Sequence, residues 1–111
     1  MSHRLEKINE LLKHEIGRIL LTEEEFGPDV LVTILKVDTA QDLRDTNITF
    51  SVLPTEKGPV ILKKLNADAF NLRELLKKRL KMHPVPKIRF VLNENEAESQ
   101  KVESLIKKIQ P

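Results

Sequence analysis

Residues 31–53, LVTILKVDTAQDLRDTNITFSVL, decide the fold. Leu31 to Val37 is rich in Val, Ile and Leu. Thr46 to Leu53 sets Ile48, Phe50 and Val52 against Asn47, Thr49 and Ser51, the two-residue period of a strand with one buried face. The link between them, Asp38 to Asp45, is short and polar. A crossover to a parallel strand needs a dozen residues or more, so these two strands form an antiparallel hairpin. Asp42 and Asp45 flank Leu43-Arg44 in that link. Asp in such a place closes a turn through its own backbone more often than it joins a catalytic carboxylate pair.

Upstream, Leu5, Ile8, Leu12, Ile16 and Ile19 recur at three- and four-residue steps and form one apolar stripe. This predicts a helix capped by Ser2 and stopped near Leu21, before the Glu23-Glu24-Glu25-Phe26-Gly27-Pro28 break. Downstream, Thr55-Glu56-Lys57-Gly58 reads as a turn and Pro59 as the first turn of a second helix. Leu62, Leu65, Ala69, Leu72, Leu76 and Leu80 carry its stripe for about twenty residues, until Pro84 and Pro86 end it. Lys87 to Leu92 alternates as a third strand. Asn95 and Glu98 form a near capping box for a terminal helix bearing Val102, Leu105, Ile106 and Ile109. The order helix, strand, strand, long helix, strand, helix predicts an α+β fold: a small three-stranded sheet, its third strand parallel or antiparallel, with helices on one face.

With 111 residues, 40% of them hydrophobic, the chain suits one compact domain, residues 1–111. The absence of Cys excludes a disulfide framework, a thiol nucleophile and thiolate-held zinc. No apolar run approaches the roughly 20 residues of a membrane span, and the mixed-charge start is no signal peptide, so a cytoplasmic protein is expected. His3, His14 and His83 lie in unrelated segments, and Gly17, Gly27 and Gly58 stand alone. Neither a metal site nor a phosphate-cradling loop can be read from them, and no catalytic constellation or cofactor is expected.

Nineteen Lys and Arg against seventeen Asp and Glu leave only +2 overall. Distribution says more. From Lys63 to Arg89 nine cations face only Asp68 and Glu74, a basic middle between more acidic ends. On one continuous second helix, Lys63, Phe70, Lys77 and Lys81 share a side beside the apolar stripe, with Arg73 at its edge. That flank could follow a phosphate backbone. The competing reading is a solvated face whose long side chains cover apolar surface. With no Trp, no Tyr and four Phe, aromatic stacking has little material, and Phe70 reads as core more readily than as a platform.

Taken together, Arg4-Leu5-Glu6-Lys7-Ile8, Val37-Asp38-Thr39-Ala40-Gln41-Asp42-Leu43-Arg44, Asn47-Ile48-Thr49-Phe50-Ser51-Val52-Leu53, Leu72-Arg73-Glu74-Leu75-Leu76 and Pro86-Lys87-Ile88-Arg89-Phe90 resemble, in order and spacing, the bacterial ribosome-binding factor A family. The resemblance covers about residues 3 to 109. It implies a type II KH-like domain in which the Gly-x-x-Gly loop is replaced by a helix kink of the form Ala-x-Gly. Ala67-Asp68-Ala69 occupies that place, with Ala69 where the family usually has Gly. Ala avoids backbone angles that Gly reaches, so this departure predicts a milder kink or a continuous helix.

The resemblance further implies a non-enzymatic, monomeric assembly factor. Its partners would be the small (30S) ribosomal subunit and its 16S rRNA, with a role in late processing and in growth in the cold. The contact surface expected from the charge pattern is Lys63, Arg73, Lys77, Lys78 and Lys81, with Arg4, Lys7 and Arg44 as secondary members. The alternative is a protein-interaction module acting through its helices without touching RNA.

Overall fold

The computed structural model describes residues 2–80 and 85–93. Six elements follow in order: α1 (Ser2–Glu23), β1 (Leu31–Thr39), β2 (Asp45–Leu53), α2 (Gly58–Ala67), α3 (Ala69–Arg79) and β3 (Lys87–Leu92), with a short 3-10 turn, Thr55–Lys57, before α2. The terminal helix expected beyond Asn95 lies outside the described residues.

The hairpin forms as its alternation requires. β1 and β2 are antiparallel, and β3 joins the other edge of β2 in parallel, giving a mixed sheet of order β1-β2-β3. Register aligns apolar residues in rows: Val37, Ile48 and Phe90 form one, Ile34, Phe50 and Leu92 the next. A bulge between Ile34 and Lys36 shifts the pairing of β1. The link is closed by Asp42, whose carboxylate accepts from the Arg44 amide at 3.0 Å, with Leu43 at φ 61°. Asp42 therefore acts as a turn former.

All three helices cover the same face. α1 lies on β1 through Leu12, Ile16, Ile19 and Leu20, α2 on β2 and β3 through Ile61 and Leu65, and α3 on β3 and α1 through Leu72 and Leu76. Phe50 and Phe90 meet edge to face at 6.1 Å in the centre of the core. Two threonines that flank the hairpin turn, Thr39 and Thr46, are buried and satisfy each other through their hydroxyls. Asn9 of α1 accepts from the Thr39 amide at 3.1 Å, fixing the first helix to the end of β1.

The second helix is interrupted, as the kinked helix implied by the resemblance requires, and the expectation of a continuous helix is corrected. The helix ends at Ala67 and restarts at Ala69, and the break is carried by Asp68 at φ −93°, ψ 0°. That negative-φ conformation is open to any L residue. Glycine at 69 is not needed for a break of this geometry.

Gly17 lies inside α1, where a Cβ would meet nothing within 4 Å. Gly17→Ala is expected to raise stability by about 0.5–1 kcal/mol through helix propensity alone. Urea unfolding checks this, and a loss of stability would contradict it.

Candidate nucleic-acid interface

The basic stretch divides at Asp68, and its members take different tasks. Lys63, on α2, is exposed and makes no ion pair among the described residues. Lys78, on α3, is likewise exposed and unpaired. Lys77 meets Glu74 one turn back at 3.3 Å, with both side chains more than a third exposed, a surface pair that costs little to exchange. Arg73 turns inward. Its Nε and Nη2 both donate to the carbonyl of Val85, at 3.0 and 2.9 Å, and so hold α3 to the entry of β3. Lys81 lies outside the described residues. Arg4 and Lys7 are exposed on the first turns of α1, and Arg44 is exposed in the hairpin turn.

Projection on one continuous helix therefore places Lys63, Phe70 and Lys77 away from the core, but it does not show that Arg73 turns inward. Phe70, read from sequence as core, is 66% exposed on the first turn of α3. It lies two positions before the buried Leu72, about 200° round the helix, and so faces away from the sheet. Ala67 and Asn71 beside it are exposed, and Ala69 is half-buried.

The break itself is anchored from two sides. The Asn66 amide bonds both ways with the Phe90 backbone, donating to its carbonyl at 3.1 Å and accepting from its N–H at 2.9 Å. On the other side the loop after α1 reaches over α2. Lys64 donates to the Glu25 carbonyl at 2.6 Å, lies 3.8 Å from Glu24 and stands 5.5 Å over the Phe26 ring. Sequence reasoning counted Lys64 only as part of the positive run; its partners are some forty residues distant, and nothing local marks them.

Glu24, 7% exposed in its side chain, shares a hydrogen bond with Asp68. Burial first, and then the bond to Asp68 and its charge, push the Glu24 carboxyl above its ordinary value of 4.5, partly offset by Lys64. The folded state thus holds this proton more tightly than the unfolded chain. The stabilisation is full below pH 4.5 and is lost as pH rises through the raised folded value. Glu24→Gln, which keeps a donor toward Asp68 at every pH, is expected to remove that decline. Unfolding measured across an acidic pH series checks it; equal slopes for the two proteins would contradict it.

Elsewhere the surface reads differently. The open face of the sheet mixes Lys36, Lys87 and Arg89 with Asp38 and Asp45. A groove of about 980 Å³ runs between α1, the 24–28 loop and the first half of β1, lined in part by Glu10, His14, Arg18, Leu31 and Ile34. His14 is exposed there and makes no ion pair among the described residues. His83 lies outside them. Among the described residues no group of three or more His, Asp and Glu is arranged to hold a metal ion, and no helix is long and apolar enough to cross a membrane.

Comparison with known proteins adds to this geometry. The family model described as "Ribosome-binding factor A" matches residues 4–106. Ribosome-binding factor A of Akkermansia muciniphila is 30% identical over 95 residues, covering 86% of this chain and 75% of that one. The crystal structure of ribosome-binding factor A from Thermus thermophilus superposes with a TM-score of 0.68 at 20% identity, over 79% of this chain and 93% of that one. A homology model of the Thermus protein, fitted into the cryo-electron microscopy map of its complex with the 30S subunit, gives 0.63 at 21% identity, over 75% and 88% of the two chains.

Proposed function

Because the chain belongs to the ribosome-binding factor A family, we propose that it binds the immature small ribosomal subunit in the cytoplasm and assists the late maturation of its 16S rRNA. It does so as a monomer, by binding and without catalysis. One observation carries the reading most directly. α2 and α3 bear six cations; Lys64, Lys77 and Arg79 pair with Glu24, Glu74 and Glu15, Arg73 turns to the Val85 carbonyl, and Lys63 and Lys78 present theirs to solvent without an acidic partner among the described residues. The Thermus relative, of the same fold, is fitted into a map of a 30S complex.

In this reading Lys63, Lys77 and Lys78 meet phosphates, Arg4, Lys7 and Arg44 extend the contact, and Lys81 adds to it. Arg73 contributes chiefly by holding α3 against β3, with only its remaining N–H groups left for an outside ligand. No Gly-x-x-Gly loop is present to clamp four nucleotides, so phosphates and RNA shape dominate over base reading. Co-sedimentation with ribosomal particles from growing cells tests the proposal. Preference for free small subunits over complete ribosomes is expected; indifference to every particle would overturn it.

A further inference from the structure

Phe70 is the one aromatic side chain of the four that the core does not use. Phe50 and Phe90 are buried against each other, and Phe26 is half-buried beneath the Lys64 ammonium. Phe70 instead stands on the surface immediately after the helix break. Single exposed apolar residues are common and by themselves mean little.

Two further features distinguish this one. The break that carries it is held from both sides: Asn66 is doubly bonded to Phe90, Lys64 donates to the Glu25 carbonyl, and the Asp68 carbonyl accepts from the Leu72 amide at 3.0 Å. The ring is thus carried on a backbone tethered to β3 and to the loop after α1. Its surroundings are also cationic and small. Lys63 precedes the break, Lys77 and Lys78 follow on α3, Lys77 two turns on from Phe70 on the same side of the helix, and Ala67 and Ala69 leave room for a flat group to approach.

We propose that Phe70 is a stacking platform for one unpaired base of RNA whose flanking phosphates are met by the cations of α2 and α3. This deepens the reading of the same flank given above and rests on it. An aromatic face accepts any base, so the contact adds affinity for single-stranded segments without reading sequence, and such stacking is worth roughly tenfold or more in binding. The net positive charge argues for a polyanion as occupant rather than an apolar protein surface.

The chain lacks Trp and Tyr, so Phe70→Trp places a single fluorophore at the platform. Titration with a single-stranded oligoadenylate should quench its emission strongly, whereas an RNA duplex of equal length should leave it nearly unchanged. Phe70→Ala should weaken binding to the oligoadenylate about tenfold or more while leaving the salt dependence as it was. Unquenched emission with the single strand bound, or an alanine variant of undiminished affinity, would overturn the inference. If these occur while the chain still sediments with free small subunits, the stacking assignment alone fails. Quenching by the oligoadenylate without sedimentation keeps the platform and removes the ribosomal assignment. A chain that binds neither RNA nor particle overturns both. Enhanced, blue-shifted emission on small subunits would mark Phe70 as a protein contact and equally overturn stacking.

Discussion

Phe50→Ala is expected to lower stability by about 3–5 kcal/mol, a large part of the 5–15 kcal/mol typical of a whole domain. Phe50 is fully buried on the central strand, between Ile34 of β1 and Leu92 of β3, and packs edge to face on Phe90. Truncation removes the transfer energy of the ring and opens a cavity in the middle layer, which neighbours on both edge strands cannot fill without moving the sheet. The midpoint of thermal unfolding should fall by roughly 15–25 °C. Phe70→Ala is the same change on an exposed ring and should shift stability by no more than about 0.5 kcal/mol. Calorimetry on the two variants checks the pair; similar losses at both positions would contradict the burial described here.

The second large effect concerns binding. Lys63, Lys77 and Lys78 changed together to Ala should weaken association with free small subunits about a hundredfold or more at near 0.1 M salt, since each lost phosphate contact is worth roughly a factor of five to eight there. The fold should be unaffected, because Lys63 and Lys78 are exposed and unpaired among the described residues and Lys77 gives up only a surface pair with Glu74. Arg73→Ala makes the informative contrast. Loss of its two bonds to the Val85 carbonyl removes the tie between α3 and β3, so its cost should appear in unfolding as well as in binding. Unchanged affinity in the triple variant, with an intact fold, would remove these lysines from the contact surface.

The strands and their hairpin were legible because Thr46 to Leu53 alternates strictly, and burial of one face of a sheet imposes that period. The mixed sheet followed from a short link on one side of β2 and a helical crossover on the other. The break at Asp68 was not legible. Leu65, Leu72 and Leu76 keep one apolar stripe across it, and Asp68 still donates to Lys64 while its carbonyl accepts from Leu72, so the helical phase survives an interruption of one residue. Its backbone needs neither Gly nor Pro, hence no punctuation marks it in the sequence.

The electrostatic surface was legible only in part. Charge could be counted along the chain, but partners could not be seen. Arg73 bonds to a carbonyl twelve residues on and Lys64 to a loop some forty residues back, contacts that packing creates and spacing does not reveal. Phe70 was drawn toward the core by its residue type, although its phase already set it opposite Leu72. Glu24 sits in an acidic run that reads as solvated loop, and only the approach of the loop to α2 brings it to Lys64 and Asp68.

Affinity for free small subunits, measured as the concentration of potassium chloride is raised from about 50 to 400 mM, tests the central claim most directly. Four to six phosphate contacts predict a straight line of log affinity against log salt with a slope of about −3 to −5, made shallower by two to three units when the three lysines are replaced. A line of near-zero slope, the mark of an apolar contact with a ribosomal protein, would contradict it.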